Sequence, residues 1–237
     1  MQTNIQASGF SHLSLRTYAL VAGLGLLLMA ILAPIANFGV MEALVVPGDA
    51  ATTTNNIAAS SGLFRTGILL FLVVVVLDVI VAWALYGLLH PVNQSLSLLA
   101  AWFRVVYATI LAVALGNYLN VLQLVSRDYL QIFGSGQLQA QVQLSLNAFT
   151  DLWNLGLAIF GLHLLLVGYL AFRSGFIPIF LGVLVFIAGL GYTIDGMGGI
   201  ISQDYSLSLA MFTFVGEVLL IFWCLWKGFK GFELDTE

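Results

Sequence analysis

LLFLVVVVLDVIVAWALYGLLH, residues 69–90, is almost wholly apolar, and its one charge, Asp78, sits near its middle. As a helix this stretch rises about 33 Å, enough to cross the hydrocarbon core of a bilayer. The rest of the chain has the same character. Of 237 residues, 61% are hydrophobic and 8% charged, and the mean hydropathy is +1.04. Soluble domains carry about 25% charged residues; a chain with so few could not cover its own surface in water. The composition points to an all-α, polytopic membrane helical bundle whose partner is the lipid bilayer.

Outward from this stretch, apolar runs fall at 15–39, 64–89, 96–125, 148–172, 177–200 and 207–228, giving six transmembrane helices. Arg16 precedes the first run, but that run exceeds the 7–15 residues of a signal-peptide core. It is expected to be a retained helix that ends near Pro34 and Asn37. Two links are very short, HPVNQ (90–94) and RSGFIP (173–178), and their Pro and Gly residues break the helices into tight hairpins. The long links, 40–63 and 126–147, lie on the opposite side. Arg16, Arg173, Lys227 and Lys230 border the short-link side, against Arg65 and Arg127 on the other. This bias places both termini in the cytoplasm and the protein in the cytoplasmic (inner) membrane.

Short interfacial helices are expected in the two long, extracytoplasmic links. Asp49 stands where an N-cap would in VPGDAATTTNN. QLQAQVQLSLNA (137–148) alternates with period two, but a lone strand at a bilayer leaves its hydrogen bonds unpaired, so a helix running into the fourth span is preferred. The domain plan is a cytoplasmic N-terminal tail (1–14), a six-helix domain (15–230) and an acidic cytoplasmic tail (231–237) with Glu233, Asp235 and Glu237. Gly182, Gly189 and Gly196 recur every seven residues and form a seam for close helix packing.

The polar residues inside the spans carry the functional question. Asp78 lies about 18 Å and Arg104 about 14 Å from the same five-residue link. They are therefore nearly level on antiparallel neighbours. A charge at mid-bilayer costs roughly 3 kcal/mol by insertion scales, so the two are expected to form an intramembrane ion pair. His163 and Glu217 reach a similar depth, and Tyr107 shares the Arg104 face. A second polar level lies nearer the long links: Asn117, Asn120, Asn147, Asp151, Asn154, Tyr192 and Asp195. A lone buried histidine is more often a hydrogen-bonded structural residue than a ligand.

No motif for hydrolysis, phosphate binding or haem attachment is present. The single cysteine, Cys224, excludes an internal disulfide and a cysteine metal cluster. One intramembrane histidine falls short of the usual zinc ligand set; no metal and no cofactor are expected. No basic patch invites nucleic acid.

The string FGLHLLLVGYLAFRSGFIPIFLGVLVFIAGLGYTID (160–195), with VPGDA (46–50), GLFR (62–65), LLHPVN (88–93) and AAWFRVVYA (100–108), resembles a bacterial family of multi-pass membrane proteins catalogued only as a domain of unknown function. The family pattern has basic residues where this chain has His90 and Ile179. The resemblance implies a compact helical membrane domain with Asp78, Arg104, His163 and Asp195 at recurring polar positions. It implies no activity, substrate or cofactor. Three classes of function follow from the residues. One is binding or transport of a small molecule or lipid in a pocket lined by Tyr107, Asn117, Asn120, Asp151, Asn154, His163, Tyr192, Asp195 and Glu217. The second is an accessory subunit with a membrane-protein partner. The third is an intramembrane enzyme pairing His163 with an acid, which the absence of catalytic spacing disfavours.

Overall fold

The computed structural model describes residues 13–126, 134–202 and 205–232. Arg127, most of the N-terminal tail and the acids Glu233, Asp235 and Glu237 lie outside the described residues. Those described contain helices and no strand, and six helices are long and apolar enough to cross a membrane. The protein is a polytopic helical membrane bundle.

The first span, α1 (Leu15–Leu44), starts at Ser14, whose hydroxyl accepts from the Thr17 amide at 3.2 Å. It does not end near Pro34 and Asn37, as the sequence suggested. Proline lacks the N–H that continues the ladder, yet the helix widens into a π-helical stretch over Ile35–Met41 and tightens again over Glu42–Leu44. The wider turn accommodates the proline inside one continuous span. Asn37 spends its side chain within that turn, donating to Glu42 at 3.0 Å.

The long link that follows holds α2 (Ala50–Ala59). Asp49 caps it, accepting from the Thr52 amide at 2.8 Å and the Thr52 hydroxyl at 2.7 Å. These bonds favour the ionised form and hold the Asp49 carboxyl below its usual range. Next come α3 (Ser61–Leu89) and α4 (Gln94–Leu124), the latter capped by Asn93. The 39-residue α5 (Ser135–Arg173) absorbs the whole of 137–148. That segment is helical, and it is the start of the fourth span itself. Its buried Leu138, Val142, Leu146 and Phe149 recur at helical spacing, and α2 packs against this helix. At about 58 Å, α5 is far longer than the hydrocarbon core and extends beyond it. The last spans are α6 (Ile179–Ile201) and α7 (Ala210–Lys230), which turns at Phe214.

The six spans form a closed ring. Each packs on the next span in the sequence, and α7 returns to pack on α1. Glycines permit the closure: a Cβ on Gly23 would sit 2.8 Å from the Leu225 nitrogen, and one on Gly228 2.7 Å from the Leu20 Cα. Arg16 fastens it, donating from Nε to the Gly228 carbonyl at 3.1 Å. The α5–α6 contact is the most intimate. Cβ atoms on Gly182, Gly189 and Gly196 would approach backbone atoms of α5 to 2.5–2.7 Å, so the seven-residue glycine repeat is a packing seam. The seam between α6 and α7 is the thinnest in the ring.

Candidate functional site

Each of the six spans contributes to one polar core. At its centre Arg104, on α4, is 1% exposed. Its Nη2 lies 2.8 Å from Asp78 Oδ1 on α3 and 3.9 Å from the Met29 sulfur on α1. Its Nη1 lies 3.1 Å from His163 Nε2 on α5, and its guanidinium carbon stands 5.2 Å from the centre of the Phe160 ring. Asp78 and His163 are fully buried. The four-residue link (90–93) between α3 and α4 brings Asp78 and Arg104 level, and the packing of α5 on α4 brings His163 to meet them.

The partners of His163 decide its chemistry. Nδ1 lies 2.8 Å from the Ala100 carbonyl, which can only accept, so Nδ1 carries the hydrogen. Nε2 then offers its lone pair to the Arg104 N–H. Both ring nitrogens are occupied, and neither is free to take a proton from a substrate or to ligate a metal. Among the described residues no cluster of three or more His, Cys, Asp and Glu side chains could hold a metal ion.

Asp78 is less completely served. Its 2.8 Å contact with Arg104 has the distance of an ion pair without the alignment of a hydrogen bond, and neither carboxylate oxygen accepts an aligned bond from the protein. Arg104 Nε and Glu217 Oε1, also buried, likewise lack protein hydrogen-bond partners. Glu217 projects from α7 and lies within electrostatic reach of both Arg104 and Asp78. Beside it are two hydroxyls. Tyr192, on α6, stands beside the Glu217 carboxyl, and Tyr107, on α4, lies within electrostatic reach of Glu217, Asp78 and Arg104. Phe160 joins the two phenols, 4.9 Å from the Tyr107 ring and 5.3 Å from that of Tyr192. Tyr192 and Glu217 are only partly buried.

The outer polar level is spread out rather than gathered. Asn120 and Asp151 are exposed, as is Asn147, which accepts from Gln143 at 2.9 Å. Asn117 is half-buried, and its amide donates to the Ala114 carbonyl of its own helix at 3.2 Å. Asn154, also half-buried, lies along the α5–α6 contact opposite Gly196 and Gly199. Asp195 ties the chain between α6 and α7 onto α6, accepting from the Tyr205 hydroxyl at 2.6 Å and the Ala210 amide at 2.7 Å. The carboxylate acceptor pushes the Tyr205 phenol up to about 12. Between α3, α4 and α5 the space towards the long links is filled by aromatic rings. Phe64, Phe71, Tyr118, Phe149 and Trp153 pack there, with Tyr118 and Phe149 stacked at 3.8 Å. A wholly apolar groove of about 190 Å³ lies between α5 and α6, lined by Gly168, Tyr169, Phe172, Gly182, Phe186 and Ile187 among others.

Met29 and Phe160 were not singled out from the sequence. Phe160 sits three residues before His163 and so shares its face; nothing in the pattern marks Met29.

Residues 21–228 match the family model described as "Domain of unknown function (DUF4386)". The chain is similar, with 38% identity over 161 residues, to an uncharacterized protein of Archaeoglobus fulgidus, covering 68% of this chain and 83% of that one. No solved structure matches. The ring of six spans, with an arginine and two carboxyls at its centre, belongs to a member of the DUF4386 family.

Proposed function

We propose that this membrane protein binds or carries a small polar molecule or a lipid headgroup in the polar core of its ring. One observation carries the reading. Three buried polar groups of the core are incompletely satisfied: Asp78, ion-paired with Arg104 at 2.8 Å but accepting no aligned hydrogen bond on either oxygen, Arg104 Nε, and Glu217 Oε1. Buried polar groups are ordinarily satisfied, and a bound water, ion or ligand is one explanation of a cluster of exceptions; ionisable residues inside a membrane mark function by default. Entry lies along the thin α6–α7 seam, where Tyr192 and Glu217 are partly exposed and Asp195 holds the adjoining chain. The aromatic packing between α3, α4 and α5 leaves no comparable way in. The occupied nitrogens of His163 argue against the enzyme reading.

In this proposal the membrane is the cytoplasmic one, with both termini inside and the long links outside. Impermeant thiol labelling of single cysteines checks the orientation: exposed Asn55 and Ser135 should react from outside and Ser95 should not. Binding is tested by thermal-shift screening in detergent against small polar solutes and lipid-headgroup analogues. A compound that raises the Tm, and does so less in Asp195→Asn, supports the proposal. The complete burial of Asp78 and His163 favours a second reading, an accessory subunit whose charges fix helix register. For that reading no compound stabilises the protein, and a membrane protein is extracted with it.

A further inference from the structure

We infer that the polar core is a proton-binding site and that Glu217 is its acceptor. This rests on the reading of the core as a ligand site and names the ligand. Of the seven Lys and Arg residues, only Arg104 lies mid-span, whereas both Asp78 and Glu217 reach that depth. Arg104 is 2.8 Å from Asp78 and makes no ion pair with Glu217. One cation thus faces two carboxyls, leaving one negative charge without a counter-charge where charges are costly.

The groups facing Glu217 leave few alternatives. Helix α3 offers Asp78, α4 offers Arg104 and Tyr107, and α6 offers Tyr192 with Asp195 beyond it, while His163 on α5 and Met29 on α1 meet Arg104. His163 cannot take the proton without setting an N–H against the Arg104 N–H. Asp78 already has its counter-ion. Glu217 Oε1 is buried, unpartnered and next to a phenol able to donate or accept. A proton also fits where a larger cation needs room and more oxygen ligands. One proton binds to one Glu217 oxygen, converting the carboxylate to the acid and the core from one net negative charge to none; release reverses the step. The partly exposed Tyr192 and Glu217 place the exchange on the α6–α7 side.

Infrared difference spectra of the full-length protein in nanodiscs, taken between mildly acidic and mildly alkaline buffer, test the assignment. The expected result is a carboxylic-acid carbonyl band that appears on the acid side, is lost in Glu217→Gln, persists in Asp195→Asn and changes frequency in Tyr192→Phe. A band unaltered in Glu217→Gln, no band at all, or a band abolished by sodium at fixed pH overturns it. Should Glu217→Gln fail to fold, Tyr192→Phe decides, since an unchanged frequency overturns the assignment and a shifted one supports it. Thermal-shift screening is independent of this result. A stabilising solute found alongside a negative infrared result leaves the binding proposal standing and removes only the proton.

Discussion

Asp78 and Glu217 are both carboxyls at mid-membrane, but the ring treats them in opposite ways. Asp78 is enclosed by α3, α4 and α5, fully buried and 2.8 Å from a guanidinium that also binds a histidine. Glu217 stands at the thinnest seam, partly exposed, with a phenol for company and no ion-pair partner. Burial and pairing go together on one side, and access and incomplete pairing on the other. The first arrangement suits holding helices in register. The second suits exchange with a ligand.

Breaking the enclosed half should have the largest effect. Arg104→Met leaves the Asp78 charge buried without a partner and should cost about 3–5 kcal/mol, measured by unfolding in detergent. Adding Asp78→Leu should recover most of the loss. Next is the joint between the halves. Gly189→Val drives a side chain towards the Leu165 nitrogen, which a Cβ already meets at 2.7 Å, and should destabilise by about 1–3 kcal/mol. Glu217→Leu sharpens the contrast, because it removes a poorly satisfied polar group rather than one member of a pair. Its change in stability should be below about 1 kcal/mol and of either sign. A large loss here would mean that Glu217 is as structural as Asp78.

The smallest effect concerns the chain between α6 and α7. The Tyr205 phenol, pushed up to about 12 by Asp195, keeps its hydrogen bond below the ordinary tyrosine value near 10. That contribution is lost as pH rises through about 12. In Asp195→Asn the ultraviolet tyrosinate titration should move back towards the ordinary value while the far-ultraviolet helix signal is retained.

The comparison also shows where a sequence is informative about such a site. A link as short as 90–93 allows only antiparallel neighbours, so the depths of Asp78 and Arg104 can be compared by counting residues. No short link fixes the register of α5 on α4, and α7 meets α1 only when the ring closes; the bond from His163 to Arg104 depends on how α5 packs on α4, and the approach of Glu217 on ring closure, neither of which spacing encodes. The outer level illustrates the same gap. Asn120 and Asp151 share a depth with Asp195, but their rotation about their own helices exposes them while Asp195 turns towards Tyr205. Pro34 was misleading because a π-helical stretch can carry a proline that an α-helix interior would not. Asp49 was legible because an N-cap is a local device whose partner, Thr52, lies three residues away.

The hairpin of α3 and α4 has a consequence for how the chain enters its membrane. Asp78 and Arg104 are translated only 26 positions apart, across a link too short for either helix to settle alone. They can therefore move into lipid together as a neutral couple, sparing each the penalty of arriving unaccompanied. Glu217 is made last, after the other five walls exist, and enters a neighbourhood already furnished with hydroxyls. Order of synthesis and order around the ring coincide, so each new span finds its predecessor waiting, and the final one closes the circle on the first.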